Sequence, residues 1–381
     1  MKKLIKNGYI VDKGSCLNGI NDILIEDDKI LKIGKINKEI ADEVIDAQNC
    51  IVIPGLIDHH AHIYPFIKKG IPAETVCFSS GVTTVIDAGS CGCDTYEEAR
   101  EFLKYTKLTI KSYLNMSSYG LSKLPELENL DPVEFKEEKI RMILQKYPDE
   151  IIGLKLRTSK DIVRDFGLEP LKKTIKIAER LNVPVMIHPT DPPEPIENII
   201  KLLRKGDILT HMYQNISYPI INEKGKVYPE ILNARRRGVL FEAADARAHF
   251  SLEVAERAIE NKFVPDIIAT DLTAFSMYQR PTSFNLIMQI SKYENLGISF
   301  DTIISSCTET PAKLLGIYDR SGALKPGYKA DIAILRKIYK KNEFGDRPYS
   351  NSQRKIKVGD FIYNVMLTLK EGETVYRNNL F

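Results

Sequence analysis

The sequence predicts an α/β protein: a (β/α)8 TIM barrel carrying a small discontinuous β-sandwich domain built from both termini. Three observations predict it. Between residues 54 and 320, short apolar runs alternate with amphipathic helical patterns about eight times, which is the count and length of such a barrel. The two ends, 1–53 and 321–381, are instead written as strands and turns. The polar residues that interrupt the central apolar runs fall at their C-terminal ends, where a barrel keeps its chemistry. A doubly wound sheet is less well supported, because no Gly-x-Gly-x-x-Gly follows a strand and no phosphate-binding loop is present.

In chain order, "KLIKNGYIVD" reads as two strand halves about an Asn-Gly turn, and "NDILIEDDKILKIGKI" as a hairpin around Asp27-Asp28. The closing "GALKPGYKADIAIL" and "NVMLTLKEGETVYR" repeat this pattern with Pro-Gly and Glu-Gly turns. One small domain made from both ends would bring the termini together. The barrel strands are "GLIDHH", "GVTTVIDAG", "LTIKSYLNM", "EIIGLKLR", "VPVMIHP", "DILTHMY", "GVLFEAA" and "PDIIATDL". Helical patterns between them include "DPVEFKEEKIRMILQKY", "EPLKKTIKIAERLN" and "SLEVAERAIENK".

Composition narrows the function classes. Across 381 residues, 54 basic side chains face 51 acidic ones, a net charge of +3, which points away from nucleic-acid and membrane-surface partners and toward a small-molecule substrate. The one tight basic cluster, "NARRRG" (233–238), reads as a solvated helix end. No run reaches membrane-spanning length and the start lacks a signal-peptide core, so a cytoplasmic protein is expected. Six cysteines lie scattered, with only Cys91 and Cys93 close together, and reduced thiols are expected rather than a thiolate metal site.

Barrel strands are buried on both faces and should be almost continuously apolar, so polar residues in them carry information. The first strand ends in Asp58, His59, His60 and His62, the fourth in Lys155 and Arg157, the fifth in His188, the sixth in His211 and the eighth in Asp271. Those ends converge on one mouth. Strand alternation puts His60 and His62 on one face and His59 and Ala61 on the other, and it groups Gly153, Lys155 and Arg157. Neutral imidazoles with a carboxylate suit zinc and similar divalent ions. Four inward histidines and Asp271 exceed what a single catalytic zinc takes from protein, so two metal ions fit better.

With these residues in hand, the chain resembles the binuclear branch of the amidohydrolase superfamily, which includes dihydroorotases, hydantoinases and D-aminoacylases. The resemblance is carried by "PGLIDHHAH", "GVTTVIDAGS", "GLKLR", "IHP", "GDILTHMY", "ATDL" and "TPAKLLGI" with "GALKPGYKADIAIL". It implies that His60, His62 and Asp271 bind one metal and that His188 and His211 bind the other. Lys155, carboxylated by CO2, would bridge them. A bacterial subgroup sharing "GVTTVIDAGS" and "GDILTH" implies deacylation of N-acyl amino acids or acylated hydroxy acids. In one place the pattern is broken: relatives carry Gly-His-Gly after the seventh strand, and here Ala244-Asp245-Ala246 stands there. Either His249, four residues on, takes over the substrate contact of that imidazole, or the pocket has changed its substrate.

The expected reaction is metal-dependent hydrolysis of an amide or related ester by a hydroxide between the ions, with Asp271 shuttling the proton. Arg157 is a candidate clamp for a substrate carboxylate, a rim salt bridge being the alternative. A cyclic-amide hydrolase would share this ligand set. A deaminase is disfavoured because His211-Met212-Tyr213-Gln214 lacks the glutamate of that class. A non-enzymatic scaffold is disfavoured because every candidate ligand is present. Relatives of this kind also imply a homo-oligomer.

Overall fold

The computed structural model describes residues 1–65, 67–124 and 126–381, with the side chain of Glu39 also outside the description. Eight parallel strands hydrogen-bond in chain order: β1 (Leu56–Ala61), β2 (Val82–Gly92), β3 (Thr109–Asn115), β4 (Ile151–Arg157), β5 (Val185–His188), β6 (Ile208–Leu209), β7 (Leu240–Ala244) and β8 (Ile267–Ala269). A parallel bridge from Ala61 to Leu272 brings the last strand back to the first, so the sheet nearly closes into the predicted barrel. Ile57, Ile86, Tyr113, Met186, Ile208 and Ile267, one from each of six strands, share an apolar cluster with Leu315 and Ile317, which follow the helix Glu309–Leu314. This cluster is the barrel's filled interior. Side chains of the opposite parity, among them Val85, Leu154, Leu156, Leu209 and Phe241, join the larger core beneath the surrounding helices.

The amphipathic patterns become helices Glu169–Leu181 and Leu252–Glu260, the second capped by the Ser251 side chain accepting from the Val254 N–H. The predicted helix over 131–147 starts later, at Glu137. Asp131 instead caps a short 3-10 turn whose first residue is Pro132. The "NARRRG" cluster does end a helix, Pro229–Arg236, with Arg236 and Arg237 exposed as expected and Arg235 partly buried. Arg235 lies 3.7 Å from the Phe263 ring centre and donates to the Val264 carbonyl, and Arg237 donates to the Ile200 carbonyl. The Ile200 carbonyl is in the last turn of helix Ile196–Leu202, where carbonyls lack intrahelical partners, and the Val264 carbonyl is in a loop, so the guanidinium groups supply donors to both.

Both ends of the chain contribute to one eight-stranded mixed sheet. In it Lys2–Asp12 runs parallel to Ile51–Pro54 and antiparallel to Leu17–Glu26, while Ile332–Gly345 pairs antiparallel with Ile51–Pro54 and with Ile356–Lys370. The hairpins at Asp27-Asp28 and Glu371-Gly372 form as predicted. Asn7-Gly8 does not turn the chain. Lys2–Asp12 is continuous, and Asn7 at φ 61° absorbs a register shift between Ile5 and Gly8, so the dipeptide makes a bulge inside a strand that Val52 packs against.

Candidate metal centre

β1 departs from strict alternation, and the site begins with that departure. Its register with β2 shifts between Asp58 and Ala61. As a result the adjacent His59 and His60 both turn inward, and His59 does not face away from the barrel as expected. His59 lies inside with Ile57, its Nδ1 2.7 Å from Glu242 Oε1, and His60 places its own Nδ1 2.8 Å from Glu242 Oε2. Glu242, on β7 and fully buried, thus accepts from two imidazoles. This carboxylate was missed in the sequence, although an acid inside the apolar "LFEAA" was the available signal. His62 is held by a relay in which its Nδ1 lies 2.8 Å from Ser90 Oγ and Ser90 donates to Asp87 at 2.6 Å. Asp58 fastens β1 to the end of β8 by accepting from the Thr270 N–H at 3.1 Å and hydroxyl at 2.7 Å. A ring whose Nδ1–H is donated in this way keeps its Nε2 lone pair free for a cation.

Around these rings the other predicted residues gather. Asp271 Oδ1 lies 3.4 Å from His60 Nε2 and 3.3 Å from His62 Nε2. Lys155 Nζ is buried 3.5 Å from His60 Nε2 and 3.1 Å from Met186 Sδ. Its close approach needs Gly89, at φ +86°, where an added Cβ would come within 2.6 Å of Lys155 Cγ. His188 and His211 have ring centres 4.3 Å apart, and His211 Nδ1 bonds the Ala244 carbonyl at 2.6 Å. His211 and Asp271 both hold left-handed backbones, φ 52° and 50°, strain of the kind that persists where packing fixes a functional side chain.

Burial sets the charges. It drives the pKa values of His188 and His211 well below the ordinary imidazole value and that of His249 down to about 4. Burial is also the main reason that Lys155 falls to about 8. For Asp271 burial acts upward, yet His60 and His62 hold it well below the usual carboxylate range. Neutral imidazoles, as burial favours at His62, His188, His211 and His249, and an ionised carboxylate are the protonation states that ligate a cation. At His60 burial and Lys155 push the pKa downward, but Asp271 and Glu242 outweigh them and raise it. His211 Nε2 is buried and, among the described residues, has no hydrogen-bond partner. Such an orphan acceptor among nitrogen and carboxylate donors fits a divalent ion. Candidate ligand groups close enough to share an ion are His60, His211 and Asp271, and His188, His211 and His249.

Arg157 lines the same cavity, of about 190 Å³, but its Nη1 is engaged by both oxygens of the buried Glu128, at 3.0 and 3.2 Å. The rim salt bridge is what the structure contains. Asp245 is turned out of the cavity into a buried pair with Lys292, and it also accepts from the Tyr293 hydroxyl at 2.9 Å. His249 instead enters the cavity, its Nδ1 2.9 Å from Thr190 Oγ1 and its Nε2 3.7 Å from Asp271 Oδ2. Lys69 and Arg247 also line the mouth, and sequence reasoning passed over both because they lie in loops. Gln214 is spent within its own loop, bonding the Tyr218 carbonyl and the Ile216 N–H. The six cysteines are free thiols, and none joins a candidate metal group among the described residues.

Comparison with known proteins now gives the class. Residues 51–375 match the amidohydrolase family, and the chain belongs to it. It is 30% identical over 329 residues to a deacetylase of Agrobacterium fabrum, spanning 85% of this chain and 80% of that one. Among solved structures, a dihydroorotase superposes with a TM-score of 0.88 at 26% identity, covering 99% of each chain. An adenine deaminase does so with the same TM-score of 0.88 at 25% identity, again over 99% of each. The protein is therefore an amidohydrolase-family hydrolase, homologous to deacetylases, with a His/Asp cluster suited to metal. No helix among the described residues is long and apolar enough to cross a membrane.

Proposed function

We propose that this enzyme removes the acyl group from a small anionic molecule, an N-acyl amino acid or acylated hydroxy acid, using two divalent ions, zinc by choice of donors. The observation that carries the reading is the convergence of His60, His62, Lys155, His188 and Asp271 on one small cavity, with His211 buried against them, in a chain 30% identical to a deacetylase. His60, His62 and Asp271 would hold one ion and His188 and His211 the other. Lys155 would bridge as a carbamate, formed when its neutral amine adds CO2 and releases a proton, and its depressed pKa favours the amine that this addition needs. When bound, the ions supply Lewis acidity toward the scissile carbonyl and acidify water.

The chain's own residues do the rest. Glu242 and Ser90 orient the rings of His60 and His62. Asp271 faces the cavity with Oδ2 nearer His249 and Oδ1 nearer His60 and His62. It is placed to take a proton from attacking water and return it to the leaving nitrogen or oxygen. Because Glu128 already neutralises Arg157, the cationic side chains left for a substrate carboxylate are Lys69 and Arg247 at the mouth. A small-molecule substrate in a cytoplasmic homo-oligomer, with no nucleic-acid or membrane partner, completes the proposal; the net charge of +3 supports the absence of a nucleic-acid partner and the free thiols a reducing compartment.

The likeness to a dihydroorotase structure favours one second reading, hydrolysis of a cyclic amide. Purified protein with its metals counted, offered N-acyl D- and L-amino acids, acylated hydroxy acids, hydantoins and dihydroorotate, separates the two. Turnover confined to the cyclic amides would replace the deacylase reading. An ion content near zero in protein grown with ample zinc, or full activity in Asp271→Asn, would remove both.

A further inference from the structure

We infer that His249 is a third imidazole donor to the ion held by His188 and His211, an inference that rests on the metal-dependent reading above. The five histidine and aspartate ligands implied by the sequence motifs belong to strand ends. His249 belongs to no strand, and only the path of the loop after β7 brings it to the site. One ligand atom from each of His188, His211 and His249 lies within 4.8 Å of the other two. The ring centres are 4.3 Å apart for His188 and His211, 4.7 Å for His188 and His249, and 4.3 Å for His211 and His249.

The hydrogen bonds orient the lone pairs inward. His211 donates its Nδ1–H to the Ala244 carbonyl, which leaves Nε2 as an acceptor with no partner among the described residues. His249 Nδ1 lies against Thr190 Oγ1, and with its proton donated there Nε2 is a bare lone pair pointing at Asp271 Oδ2. In that tautomer His249 offers no N–H to a substrate oxygen. Two imidazole lone pairs and a carboxylate oxygen then face one another with no donor between them, which is the electrostatic outline of a cation site.

The loop is also built to hold the ring still. Asp245 is fixed by Lys292 and Tyr293, the Ala246 N–H donates to the Thr270 carbonyl at 2.9 Å, and the Ser251 N–H donates to the Tyr213 carbonyl at 2.8 Å. Between these anchors the His249 N–H closes a turn onto the Asp245 carbonyl at 3.1 Å. Asp245 therefore serves as the anchor of the loop, and the imidazole arrives four residues later.

The test is a cobalt(II) titration of metal-free protein followed by visible absorption, comparing the parent with His249→Ala and His249→Asn. The parent is expected to take two equivalents. In both variants one equivalent should bind as in the parent, while the other weakens at least about tenfold and its visible bands shift with loss of a nitrogen donor. His249→Asn keeps a polar partner for Thr190 and reads out the case in which His249→Ala fails to fold. Parental affinities and spectra in the variants, with KM alone raised, would overturn the inference and make His249 a substrate contact. A parent that takes no cobalt would instead sink the metal-dependent reading beneath it.

Discussion

Replacing Glu242 by Gln tests how the His60 ring is held. The side chain is fully buried, and its two oxygens accept separately from His59 Nδ1 at 2.7 Å and His60 Nδ1 at 2.8 Å. Glutamine has the same shape but one acceptor oxygen, and its NH2 would face a ring N–H. One histidine must lose its bond or turn over. Losing a hydrogen bond to a charged acceptor costs about 1.5–3 kcal/mol, and a buried donor left unmade costs about 1–3 kcal/mol. The two overlap, so a destabilisation of about 2–4 kcal/mol is expected. The other consequence is at the metal, because an imidazole without its orienting carboxylate binds about 10–100-fold more weakly. Urea denaturation of the metal-free proteins should show a lowered midpoint, and a chelator-competition titration should show the loss of affinity. An unchanged midpoint together with parental metal affinity would refute the claim that Glu242 orients the site.

Lys155→Met should uncouple stability from function: it removes a desolvated amine whose contacts are the Met186 sulfur and the His60 ring. The metal-free variant should melt at or above the parent temperature while bound metal and turnover collapse. Lys69→Ala and Arg247→Ala should each raise KM about tenfold for acylated acids with little change in kcat, measured by initial rates, since they act on a remote carboxylate. Asp94, bonded to Lys136 and Lys139 at 2.6 Å each, has its pKa lowered from 3.8 to about 2, with the two lysines overcoming the upward push of burial. A depressed carboxylate contributes stability above its unfolded pKa and loses it as pH falls through the folded one. Asp94→Asn should therefore cost about 1 kcal/mol or less at pH 7, and thermal melts of the two proteins should converge between pH 4 and pH 2.

Much of the site was legible because barrel strands repeat a simple rule. A polar residue at the C-terminal end of an apolar run has few places to go except the mouth, and Lys155, His188, His211 and Asp271 follow that rule. The rule failed at the neighbours His59 and His60, where a shift of register lets both side chains turn inward to Glu242. It was silent on Glu242, whose partners lie 182 and 183 residues away. For Arg157 the sequence left a substrate clamp and a rim salt bridge both open, because Glu128, which neutralises it, stands 29 residues earlier in a loop.

The sequence by itself determined the barrel, the strand order and the donor types at strand ends, because burial and periodicity are local properties of the chain. Tertiary structure alone decided which nitrogen of each ring faces the cavity, that Asp245 anchors a loop, and that His249 enters beside His188 and His211. Those outcomes depend on hydrogen bonds between segments distant in the chain and on left-handed turns at His211, Ala246 and Asp271. No short window of residues encodes them, because each is fixed only when the packed neighbours leave one arrangement that pairs most of the buried polar groups.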